Sequence, residues 1–145
     1  MRIPMKVDYG VRALIDLAQH SASGPVPTAE IATRQSIPEP FLDQLLTHLN
    51  KVGLIKSRRG PQGGHTLAKS PYEISLGMVM TTLDGTSVPL NCIDVPADCI
   101  QYSVCTQRDV WQSVDQVVHN VLNFTTIGEL AQRQAGKAGH GMYQI

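Results

Sequence analysis

The chain has no long apolar run. Its most apolar early stretch, residues 11–18, is broken by Arg12 and Asp16. Nothing approaches the roughly 20 residues that a membrane helix needs. No secretory pattern opens the chain, so a soluble cytoplasmic protein with no membrane partner is expected. Charge is scarce too, at 17% of residues against 42% hydrophobic. That balance points to apolar surface covered by a partner subunit. Two Phe, four Tyr and one Trp are the only aromatic residues. The core must therefore rest on Leu, Ile, Val, Ala and Met. There is no nucleotide-binding glycine motif, Ser/His/Asp set or paired acid–base site, and an enzyme is not expected. Three cysteines are an odd number, which in a reducing compartment argues against a disulfide framework.

Net positive charge is missing as well, since the formal total is zero. The distribution matters more than the total. Residues 1–69 hold nine Lys/Arg against five Asp/Glu, and residues 70–145 hold three against seven. A basic half is followed by an acidic half. DNA binding needs a local positive surface, not a positive sum.

What is present is helical periodicity. Val7, Val11, Leu14, Ile15 and Ala18 repeat at helical spacing over residues 7–20. Thr28 offers an N-cap for a short helix burying Ile31 and Ala32. Ser36-Ile37-Pro38 forms a tight turn. A third helix runs from about Glu39 to Val52, with Phe41, Leu42, Leu45, Leu46, Leu49 and Val52 facing the core and Gly53 ending it. Strands at 54–57 and 65–68 flank a Gly-rich turn, which makes a hairpin. A hairpin directly after a helix-turn-helix is a wing. Ser75 to Leu83 is a helix. A long helix spans Thr106 to about Phe124, and a short one follows Thr126.

The expected fold is mainly α with a small β-hairpin: a winged helix-turn-helix domain plus a long dimerisation helix. The divisions are residues 1–85 for DNA binding, 86–105 for a cysteine-bearing loop, 106–135 for the dimerisation and terminal helices, and 136–145 for a mobile tail. Val110, Val114, Val117, Val121 and Phe124 step by four and three like a coiled-coil seam. Trp111, Val114, Val117, Val118 and Val121 are the expected dimer contacts.

A recognition helix puts its exposed N-terminal residues at base edges. Here those are Glu39, Asp43, Gln44, Thr47 and His48. Gln pairs bidentately with adenine, and a carboxylate accepts from cytosine N4. Lys51, Lys56, Arg58, Arg59 and Lys69 follow with no acid among them. Arg59 opens the wing turn, where it can enter a narrow minor groove or hold phosphate, and Gly60 lets backbone approach DNA. The competing reading is a winged helix used for protein contacts, with the basic stretch a solvated face.

The segments DYGVRALIDLA, EIATRQSIPEPFLDQLLTHLNKVGLIKSRRGPQGGHTLAKSP and ISLGMVMTTLDG, followed by three cysteines, resemble the IscR/NsrR family of bacterial winged-helix repressors. The resemblance covers about residues 1–124, and the wing RGPQGGHTL is its most specific part. It implies a homodimer on a palindromic or near-palindromic double-stranded DNA operator. It implies dimerisation through the helix at about 106–124, and DNA contacts from Asp43, Gln44 and Arg59.

Cys92, Cys99 and Cys105 are spaced C-x6-C-x5-C, unlike the paired C-x2-C of zinc ribbons. The loop is long enough to wrap a polynuclear cluster, and thiolates suit iron–sulfur clusters, which usually take four ligands. The resemblance implies that these three cysteines hold such a cluster, four-iron in preference to two-iron. One extra residue between Cys92 and Cys99 departs from the family's usual gaps. The family's cluster-assembly regulators take a histidine three residues after the last cysteine, but Arg108 stands there. Its nitric-oxide sensors take an aspartate near the N-terminus from the partner subunit, and Asp8 matches that position. The implied function is regulation of operator binding by nitric oxide, oxygen or redox state, or iron–sulfur status. Three alternatives stay open. Asp8 caps the first helix or pairs with Arg12; the cysteines form a metal-free thiol switch, or the regulator answers a small molecule; zinc replaces iron.

Overall fold

The computed structural model describes residues 2–85 and 99–142, with 139–142 as backbone alone. Helix α1 (Met5–His20) crosses the centre of the molecule and packs against four other helices. Val7, Ala13, Leu14, Ile15 and Leu17 are buried along it. Gly10 is also buried, and a Cβ there would strike Leu83.

Helices α2 (Thr28–Gln35) and α3 (Glu39–Lys51) form the helix-turn-helix. Between them Ser36 sits at φ 53°, ψ 48°, in the left-handed region. Its position lets Ile37 N–H reach back to the Ala32 carbonyl at 3.0 Å and drop the Ile37 side chain into the core. Leu42, Leu45, Leu46 and Leu49 of α3 are buried at the expected spacing. Each contributes about 2 kcal/mol by leaving water.

Two members of the expected core stripe differ. Phe41 is 40% exposed and meets Tyr9 edge-on, with ring centroids 5.6 Å apart. Val52 is exposed because it lies past the last helical residue, where Gly53 (φ 82°) turns the chain.

Strands β1 (Ile55–Arg58) and β2 (Gly64–Leu67) pair antiparallel, with Ile55 opposite Leu67 and Ser57 opposite His65. Helix α4 (Leu76–Asp84) is capped by the Ser75 hydroxyl, which accepts from Met78 N–H.

Helix α5 (Gln107–Phe124) leaves this body and packs within the chain chiefly against α4. Its far end is tied back: Leu76 N–H donates to Thr125 O at 2.9 Å and Ile127 N–H to Ile74 O at 2.8 Å. Thr126 and Glu129 exchange backbone and side-chain hydrogen bonds at the start of helix α6 (Ile127–Met142). That helix does not stop near residue 135. It continues through the Ala- and Gly-rich segment read as a mobile tail, while residues 143–145 lie outside the described residues.

Inside this frame lies one buried charge. Asp16 of α1 is fully buried and accepts from both Arg34 Nη2 (2.8 Å) and Nε (2.9 Å) of α2, and from Gln35 Nε2 (3.0 Å). Burial alone would push its carboxyl up. The Arg34 and Gln35 hydrogen bonds, with the charges of Arg34 and His20, outweigh burial and hold it below 3.8. The bidentate pair fixes α2 against α1 and so sets where the helix-turn-helix stands.

Candidate nucleic-acid interface and thiol site

On α3 the buried leucines turn the opposite face outward. Glu39, Asp43, Gln44, Thr47, His48 and Lys51 are all exposed on it. The Thr47 hydroxyl donates to Asp43 O at 2.8 Å, a local bond within the helix. Just beyond, Lys56, Arg58, Arg59 and Lys69 are exposed on and around the hairpin. Among the described residues none of these cations forms a salt bridge, whereas Lys6, Arg12 and Arg34 all do. A row of uncompensated cations beside an exposed helix face is suited to a phosphate backbone.

At the wing tip Gly60 has φ 108°, and Gly63 N–H donates to Gly60 O at 2.9 Å. A Cβ at Gly63 would collide with the Arg58 carbonyl. Only a residue without a side chain closes this turn and presents Arg59 at its edge.

The wing is braced in two places. Ser57 N–H donates to Asn50 Oδ1 of α3 at 3.2 Å. His65 exchanges backbone hydrogen bonds with Val26 (2.8 and 2.9 Å), so the segment before α2 lies against β2. Thr28 is not the N-cap of α2. Pro27 holds that position without a side-chain bond, and the Thr28 hydroxyl turns instead to His65. His65 is thus half-buried between the hairpin and the start of α2. Burial pushes its imidazole below 6.5, partly opposed by the nearby Asp43 charge. No periodic pattern points to this role, since the contact joins residues far apart in the chain.

The thiol region is partly described. Cys99 and Cys105 are half-buried free thiols bracketing a turn in which Tyr102 N–H donates to Cys99 O at 3.2 Å. Cys105 stands two residues before α5. Cys92 lies outside the described residues. Arg108 lies over the Tyr102 ring at 4.1 Å and donates to the Tyr102 carbonyl at 2.8 Å, which clamps the turn onto the start of α5. Among the described residues no three His, Cys, Asp or Glu side chains gather as a metal cage. Asp8 pairs with Arg12 at 2.8 Å. Arg12 also donates to the Gln35 carbonyl at 3.3 Å, beside the helix-turn-helix bend, and lies 5.6 Å from the Tyr9 ring centre. One residue thus touches Asp8 and the end of α2 together.

The seam of α5 faces outward. Trp111, Val114, Val117 and Val121 are exposed, Val118 is half-buried, and no residue of the helix is buried. Val121 stands 60% exposed and Phe124 80%. No described helix is long and apolar enough to cross a membrane.

The Rrf2 family model, described as an iron-dependent transcriptional regulator, matches residues 3–133. The chain belongs to the Rrf2 family. This Rrf2 protein is 38% identical over 130 residues to the HTH-type transcriptional regulator IscR of Photobacterium profundum, spanning 90% of this chain and 75% of that one. It is 37% identical over 134 residues to IscR of Serratia proteamaculans, spanning 92% and 81%. Among solved structures, CymR, the global cysteine regulator of B. subtilis, superposes with TM-score 0.79 at 32% identity, covering 92% of this chain and 98% of that one. T. potens IscR superposes with TM-score 0.74 at 34% identity, covering 92% and 88%. The oxidized form of Staphylococcus aureus CymR superposes with TM-score 0.71 at 30% identity, covering 90% and 96%. The fold is that of winged-helix Rrf2 regulators, and the protein is a DNA-binding transcriptional regulator rather than an enzyme.

Proposed function

We propose that this Rrf2 regulator is a cytoplasmic homodimeric repressor on a palindromic operator, its DNA binding set by an iron–sulfur cluster. Helix α3 reads bases through Glu39, Asp43, Gln44, Thr47 and His48. Lys51, Arg58, Arg59 and the Gly60 backbone hold the duplex. Cys92, Cys99 and Cys105 hold the cluster with Asp8 of the partner subunit. The observation that carries the reading is α5: an 18-residue helix with no buried residue, starting two residues after Cys105. A second copy covers its stripe and brings a second Asp8 to the assembly.

The donor chemistry fits such a group. Two half-buried thiols bracket one turn, and thiolates are the preferred ligands of iron–sulfur iron. When bound, a cluster supplies iron that reacts with nitric oxide or oxygen. The chain's own residues do the rest. Asp8 is a weak ligand that leaves readily, and Arg12 stands ready to take it back as an ion-pair partner. Because Arg12 also holds Gln35, the partner chosen by Asp8 bears on the helix-turn-helix bend.

A second reading is favoured by the similarity to CymR, including its oxidized form. In it Cys99 and Cys105 act as a metal-free thiol switch. Anaerobic purification with iron and sulfide counts and an absorption spectrum separates the two. Stoichiometric iron and sulfide, lost in Cys→Ala variants at 92, 99 or 105, supports the cluster. A colourless protein whose operator affinity still follows thiol oxidation supports the switch.

A further inference from the structure

His65 joins three elements through one side chain. Its Nδ1 lies 2.8 Å from the Ser57 hydroxyl of β1, and its Nε2 lies 2.8 Å from the Thr28 hydroxyl at the first residue of α2. Its main chain makes both hydrogen bonds of the bridge to Val26. Every polar group of this residue is therefore engaged, and the engagement links the wing to the helix-turn-helix. The approach is tight: a Cβ on the neighbouring Gly64, at φ 153°, would overlap the Val26 backbone. The other brace, Asn50 to Ser57, holds only the first wing strand. Asp43 of the reading helix is the charged group nearest in effect to the imidazole.

We infer that His65 is a positioning residue for DNA recognition, setting the angle of the wing against α3 so that Arg59 and the reading helix engage one duplex together. The inference rests on the proposal that Arg59 contacts DNA. A two-point grip needs its two points held at a fixed separation. A loose wing would still carry its charge but would spend its contact on ordering itself. Neither ring nitrogen of His65 is free to touch DNA, so its contribution passes through the wing.

The test uses the whole protein and a duplex that the parent protein selects from a random-sequence library. His65→Ala is expected to weaken binding by about tenfold to a hundredfold, with the salt slope shallower by roughly one phosphate contact. A Gln amide reaches about where Nε2 lies and an Asn amide about where Nδ1 lies. His65→Gln, which retains the Thr28 link, is expected to keep more affinity than His65→Asn, which retains only the link within the hairpin. Thr28→Val should reproduce most of the His65→Asn loss without depending on the His65→Ala variant folding. In an Arg59→Ala background, His65→Ala should add little, because the contact it positions is already gone. Parent affinity and slope in folded His65→Ala, Asn superior to Gln, or full additivity with Arg59→Ala would each overturn the inference. If Arg59→Ala alone leaves binding unchanged, the DNA-contact reading of the wing has failed instead.

Discussion

Helices α1 and α5 are nearly the same length and carry similar three-and-four apolar spacing, yet they meet opposite fates. α1 has seven buried residues, one of them a charged Asp. α5 has none. The difference is what surrounds them. α1 is enclosed by α2, α3, α4 and α6, whereas α5 projects from α4 and leaves Val114, Val117 and Val121 in contact with solvent. An apolar stripe therefore specifies burial but not the partner that provides it. The reading half finishes its core within one chain. The helix beside the cysteines leaves its apolar stripe uncovered within one chain.

The sharpest way to break this contrast is to place one charge on each helix. Leu14→Asp is expected to unfold the chain, since a carboxylate in a fully buried site has no partner. Val114→Asp should leave the helical circular dichroism of the reading half intact but weaken self-association by orders of magnitude, as sedimentation would report. Equal unfolding by both would mean that α5 belongs to the chain's own core.

Next in size is the buried charge of the reading half. Asp16→Ala removes the partner of Arg34 and should cost about 3 kcal/mol in urea unfolding, moderated because Arg34 keeps some access to water. The carboxyl is held below its ordinary value, so the folded state binds its proton less readily than the unfolded state. Its stabilisation is present above pH 3.8 and is lost as acid carries the pH lower.

Arg59→Ala tests the exposed side of the same half. It should leave stability unchanged and weaken operator binding by about 1–3 kcal/mol. Smaller still is the His65 titration. Its pKa is depressed in the folded state, so stability is full above pH 6.5 and declines as pH falls below it. His65→Gln should flatten that decline between pH 7 and 5, as urea unfolding across that range would report. A small gain is expected at Ser36, whose left-handed backbone suits glycine. Ser36→Gly should stabilise by about 0.5 kcal/mol, seen as a slightly higher urea midpoint.

Local chemistry was legible in the sequence wherever one pattern dominated. The leucines of α3, Gly53 after it and the glycines of the wing each have one physical reading, and they stand where that reading puts them. Phe41 was misplaced because apolar spacing alone cannot tell a core position from the flank where Tyr9 meets it. Gly and Ala residues after position 135 looked like a frayed end on glycine's poor helix propensity, but α6 continues through them. The roles of Thr28 and His65 were hidden because their bond joins residues 37 apart in the chain. At the thiol site the donors were legible as residue types. Asp8 came forward only through the family resemblance, since it lies far away in the chain, and here it pairs with Arg12 four residues on.

Sedimentation velocity of the unmodified protein at micromolar concentration tests the central claim most directly. A single species at twice the mass of one chain is the expected result, with no dissociation on dilution through the nanomolar range where operator binding is measured. A stable monomer that still binds its operator with full affinity would contradict it, because α5 would then stand uncovered in the working protein.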